Sequence, residues 1–123
     1  MDLYRELIID HYKNPKNWGT ISNSSKSEFM SNPSCGDEIK VDLIIKNNII
    51  NDFKFTGRGC AISIAATSLL SEEIIGKNIN EIKNMKIKDV EELLGIKLST
   101  SRIKCGMLGL ETLKKMLRDL TIE

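Results

Sequence analysis

Ile39, Val41, Leu43 and Ile45 alternate with Lys40, Asp42 and Lys46. A period of two predicts a half-buried strand with its charged positions turned to solvent. Asn47-Asn48 reads as a tight turn, because Asn tolerates positive φ. Residues 50–56 return as a second strand with Phe53 and Phe55 on one face, and a shorter strand near residues 28–31 is expected to complete an antiparallel sheet. After Gly57-Arg58-Gly59 the period becomes helical. A helix rich in Ala, Leu and Ile is expected over 61–75, with Gly76 suited to its C-terminal cap. A short helix over 89–94 stops at Gly95. A last helix, about 104–120, turns Leu108, Leu113, Met116, Leu117 and Leu120 toward the core, with Met107 and Met116 as gap-filling packing. At the other end Asp2 caps a helix over 3–12 whose apolar side carries Leu3, Tyr4, Leu7 and Ile8. Asn14-Pro15 ends it, since the residue before proline is pushed out of the helical region. The polar stretch 20–27 reads as a loop without chemistry. Strands first and helices afterwards make the fold α+β, a small three-stranded antiparallel sheet packed against helices.

Composition narrows the function. The 123 residues fit one domain spanning 1–123, and 41% hydrophobic with 28% charged residues is an ordinary globular balance. A net charge of +1 offers no basic field for nucleic acid. The N-terminus lacks the basic start and apolar run of a signal peptide, and no apolar run is long enough to span a bilayer. The expected location is the cytoplasm, where the three cysteines remain free thiols or metal ligands.

Each cysteine falls at the end of an expected element. Cys35 lies in Asn32-Pro33-Ser34-Cys35-Gly36-Asp37 just before a strand, Cys60 follows Gly57-Arg58-Gly59 at a strand-to-helix junction, and Cys105 opens the last helix. Loops at element ends position chemistry on a rigid scaffold, whereas three unrelated buried thiols would more often sit mid-element. Gly57 and Gly59 let the backbone pass close to Cys60. Thiols at helix N-termini meet the positive end of the dipole, which favours thiolate, and Lys104 adds a cation beside Cys105. Asp37 stands two residues beyond Cys35, so a thiolate and a carboxylate can aim at one point; a simple turn residue is the alternative. Three thiolates and one carboxylate can close a tetrahedral zinc site or bind iron.

Four ordered motifs carry a resemblance that covers nearly the whole chain. They are Leu3-Tyr4-Arg5 with Asp10-His11-Tyr12-Lys13-Asn14-Pro15-Lys16-Asn17, then Asn32-Pro33-Ser34-Cys35-Gly36-Asp37, then Gly57-Arg58-Gly59-Cys60-Ala61-Ile62-Ser63, and Arg102-Ile103-Lys104-Cys105. With them the chain resembles the SufU/IscU/NifU-N-terminal group of iron–sulfur cluster assembly proteins. IscU proteins carry histidine immediately before the third cysteine; Lys104 occupies that position here, as in SufU proteins. SufU proteins usually carry an extra segment between the second and third cysteines, whereas only residues 61–104 separate them here, as in IscU.

The resemblance implies a SufU-like, zinc-dependent sulfur acceptor working on Cys35, Asp37, Cys60 and Cys105, with a pyridoxal-phosphate-dependent cysteine desulfurase as donor and iron–sulfur proteins as downstream acceptors. A scaffold that builds a [2Fe-2S] cluster on Cys35, Cys60 and Cys105 is one rival, and a purely structural zinc adaptor is another. His11, the one histidine, reads as a packing or helix-end residue. Trp18 reads as a hydrophobic staple or a partner anchor, Arg58 as solvated, and Arg102 as surface charge or a support for sulfur at Cys105.

Overall fold

The computed structural model describes residues 3–33, 36–118 and 120. The chain runs α1 (Leu3–Lys13), β1 (Lys26–Asn32), β2 (Asp37–Lys46), β3 (Ile49–Arg58), α2 (Ala61–Ile74), α3 (Ile79–Lys83), α4 (Ile87–Leu94) and α5 (Ile103–Leu117). β2 is the central strand of an antiparallel sheet, with Val41 opposite Glu28 of β1 and Phe55 of β3. The hairpin between β2 and β3 turns through Asn47 and Asn48 at φ 53° and 63°, the left-handed pair that a two-residue turn demands. Ile39, Val41, Leu43, Phe53 and Phe55 are wholly buried, and α2 and α5 pack on the sheet.

α2 is the centre of the molecule, with every residue from Ile62 to Ser71 buried. A helix that is apolar or small all round belongs in a core rather than at a surface. Two of its serines are spent on neighbours. Ser68 Oγ is bonded to His11 Nδ1 at 2.7 Å and accepts from the Lys16 N–H at 2.8 Å, and Ser71 Oγ accepts from Asn17 Nδ2 at 2.9 Å. These bonds fasten α1 and the segment after it to α2, and His11 is a packing residue as its sequence position suggests. Toward α5 the approach is closer still: a Cβ on Gly109 would collide with Thr67 Oγ1.

Several expectations need correction. Leu3 and Tyr4 are 76% and 53% exposed; α1 instead buries Ile8 and His11, and the Tyr4 ring lies over Gly95. Periodicity shows which residues share a stripe, but not which turn of that stripe meets a neighbour. α3 falls where no element was expected. Its signal is Asn78 followed three residues on by Glu81, a capping box in which Asn78 Oδ1 accepts from the Asn80 N–H at 2.8 Å and Glu81 Oε2 from the Asn78 N–H at 3.0 Å. The Asp2 cap lies outside the described residues.

Asp42 departs furthest from the sequence reading. It occupies a polar position of β2 yet is buried, because the stretch after residue 19 folds back over it. Its carboxylate accepts from Ser27 Oγ at 2.6 Å and from the Ile21 N–H at 2.9 Å, with Lys40 Nζ at 3.7 Å, so that polar stretch does carry a structural role. Burial opposes ionisation, but the two hydrogen bonds and the Lys40 charge outweigh it and hold the carboxyl below its ordinary value. A folded-state pKa below the unfolded one contributes stability above about pH 4 that is lost as pH falls through the folded value. Asp42→Asn is accordingly expected to cost about 1–2 kcal/mol at neutral pH and to flatten the acid limb of a denaturation–pH profile. An unchanged acid limb would show that the Asp42 cluster does not set it.

Candidate functional site

Three chain segments converge where the sheet meets the helix N-termini. Asp37 opens β2 and is 1% exposed. Cys60 follows β3 as the N-cap of α2, half-buried and with no side-chain cap bond of its own. Cys105 is the third residue of α5 and buried, after Arg102 at the N-cap. One carboxylate oxygen of Asp37 and the two Sγ atoms all lie within 4.8 Å of one another. Cys35, two residues before Asp37 in the sequence, lies outside the described residues.

Local chemistry explains the convergence. Asp37 Oδ1 accepts the Cys60 backbone N–H at 3.0 Å, and Oδ2 stands 3.9 Å from Cys60 Sγ. The carboxylate thus takes one of the donors that the first turn of α2 leaves unsatisfied, at the positive end of that helix. Gly59 makes this possible, since a Cβ there would collide with the Asp37 carboxyl. The close backbone passage expected at this glycine is what brings strand β2 and the thiol of α2 together.

The remaining candidates surround the cluster without joining it. Lys104 is exposed and lines a shallow cleft with Met30, Asn32 and Pro33. Arg102 is exposed and makes no side-chain cap bond. Arg58 is exposed too, but it is not free: its Nε and NH2 donate to Glu38 at 3.0 and 3.3 Å. Trp18 is 46% exposed, with its ring edge-on to Phe55 at 5.3 Å. Together with Tyr12, Arg58, Gly59 and Ile64 it lines an open cleft that reaches the residue before Cys60. One residue the sequence reading passed over is Ser63, buried in the first turn of α2. Its place three residues after Cys60 was legible; its burial without a partner among the described residues was not.

Donor chemistry and spacing fit zinc. Bonds of about 2.0–2.3 Å in a tetrahedron place ligand atoms roughly 3.3–3.8 Å apart, a distance that small side-chain rotations reach from the observed cluster. Among the described residues no helix is long and apolar enough to cross a membrane.

Comparison with known proteins gives this geometry a family. The NifU-like N terminal domain family matches residues 3–121. The zinc-dependent sulfurtransferase SufU of Bacillus subtilis is 36% identical over 92% of this chain and 88% of its own length. The scaffold protein IscU of Aquifex aeolicus is also 36% identical, over 94% of this chain and 74% of its own. Among solved structures, FiSufU from Fervidobacterium islandicum AW-1 superposes with a TM-score of 0.79 at 34% identity, covering 91% of this chain and 94% of that one. The chain belongs to the NifU-like N-terminal domain family of iron–sulfur cluster assembly proteins.

Proposed function

We propose that this protein accepts persulfide sulfur from a pyridoxal-phosphate-dependent cysteine desulfurase at a zinc site made by Cys35, Asp37, Cys60 and Cys105. The observation that carries the reading is the grouping of the Asp37 carboxylate with the Cys60 and Cys105 thiols at the ends of three elements. When bound, zinc supplies a charge that keeps thiols deprotonated and ordered. Asp37 is the hard, exchangeable donor of the set, and its bond to the Cys60 N–H fixes the carboxylate whether or not it ligates.

In the transfer, a thiolate of this chain attacks the outer sulfur of the donor's persulfide. A new S–S bond forms, the donor's S–S bond breaks, and the donor leaves as thiolate, with no net change of oxidation state. Cys60 is the more accessible of the two described thiols, and the cleft bearing Tyr12 and Trp18 reaches Gly59, its neighbour in the chain, which offers a donor cysteine an approach. The membership of SufU in the family supports this reading.

The scaffold reading draws on the equal similarity to IscU and on the short span between Cys60 and Cys105. Lys104 discriminates between the two. An ammonium group cannot ligate iron, while imidazole can. Anaerobic reconstitution of wild type and Lys104→His, followed by cluster absorbance and desulfurase turnover, tests it. Wild type is expected to accelerate the desulfurase severalfold and to retain little cluster, and Lys104→His to retain more. A stable cluster on wild type without stimulation would establish the scaffold instead.

A further inference from the structure

Ser63 is wholly buried, and its hydroxyl has no hydrogen-bond partner among the described residues. The neighbouring helix hydroxyls do not share this condition. Thr67 Oγ1 donates to the Ser63 carbonyl at 2.9 Å, and Thr112 Oγ1 to the Leu108 carbonyl at 2.7 Å. A buried hydroxyl without a partner has lost its water for nothing, and native proteins rarely keep one without a use.

The helix register places this residue along α2. Thr67 meets Gly109 at the close contact between α2 and α5. Ser63 stands one turn before Thr67, and Cys105 one turn before Gly109. Because Cys60, at the start of α2, shares the donor cluster with Cys105, the two helices run in the same direction. Ser63 therefore stands at about the level of Cys105, one turn further along α2 than Cys60.

We propose that Ser63 is a positioning residue whose hydroxyl donates to a sulfur atom delivered to the site and held at the level of Cys105. The inference rests on the sulfur-accepting function above. The outer sulfur of a persulfide is anionic, soft and prone to exchange with nearby thiols. A preset donor in a water-poor wall stabilises that charge and turns the sulfur away from the competing thiolate. The same hydroxyl contributes nothing to the sulfur-free protein, so its presence trades stability for retention of sulfur.

The test uses reduced, metal-free full chain loaded anaerobically with inorganic polysulfide. In that loading a thiolate takes one sulfur and the polysulfide leaves one atom shorter, so no desulfurase is needed. Mass spectrometry follows loss of the added sulfur, and thermal melting is recorded before loading. Ser63→Ala is expected to melt at or above the wild-type temperature and to lose its added sulfur about tenfold faster, the size of one hydrogen bond to a charged acceptor. Equal lifetimes in the two proteins would overturn the role of Ser63 while leaving sulfur acceptance intact. A lower melting temperature for Ser63→Ala would assign the hydroxyl a structural partner and also overturn it. A wild type that takes up no sulfur, with its thiols open to alkylation, would overturn the proposal together with the function it rests on.

Discussion

Replacing Asp37 with alanine is expected to lower zinc affinity by about a hundredfold or more, since loss of a direct donor exceeds the 10–100-fold typical of outer partners. Two effects act together. The set loses its one carboxylate, and the Cys60 N–H loses the acceptor that holds it at 3.0 Å. Asp37→Asn separates them: an amide oxygen keeps the Cys60 bond and the start of α2 but is a far poorer zinc donor. Competition titration against a chelator, run beside thermal melting, should place Asp37→Asn near wild type in metal-free stability and near Asp37→Ala in zinc affinity. If both variants bind zinc as wild type does, Asp37 is only a strand-end residue tied to the helix.

Gly59→Ala attacks the same point from the backbone. Its Cβ would meet the carboxyl of Asp37, which is held on one side by β2 and on the other by the bond to Cys60. The collision is expected to cost about 1–3 kcal/mol of stability and to displace the carboxylate, so that zinc affinity falls as far as in Asp37→Ala. The double variant gives the sharper result. With Asp37 already cut to alanine the two nearest atoms, Oδ1 and Cγ, are gone and only its Cβ remains close, so Gly59→Ala costs less in that background, a nonadditivity expected of residues in contact. Stability should recover in part while zinc affinity does not. Strict additivity in the melting data would mean that the close contact is not what Gly59 serves.

These variants concern residues whose roles were partly legible in the sequence. Gly59 before Cys60, and each cysteine at an element end, marked loops that carry chemistry, and the alternation over residues 39–45 with the Asn47-Asn48 turn fixed the sheet. The meeting of Asp37, Cys60 and Cys105 was not legible from spacing alone, because it depends on two long-range contacts, Gly59 against Asp37 and Thr67 against Gly109. Asp42 was misread because alternation assigns it to the solvent side and cannot see a loop that returns to cover it. Leu3 and Tyr4 were misread for a related reason, since a stripe does not reveal how far the neighbouring helix extends. Ser63 escaped notice because a serine in an apolar helix looks satisfied until its partners are sought.

The most direct measurement is metal analysis with zinc-edge X-ray absorption on the native protein purified without added metal. The expected result is about one zinc per chain in a four-coordinate shell of sulfur ligands at about 2.3 Å and one oxygen at about 2.0 Å, lost together with protection of the thiols from alkylation when Asp37 is replaced. A metal-free protein whose three thiols alkylate freely, or a zinc bound through nitrogen and oxygen alone, would contradict the assignment of Cys35, Asp37, Cys60 and Cys105 as one zinc site.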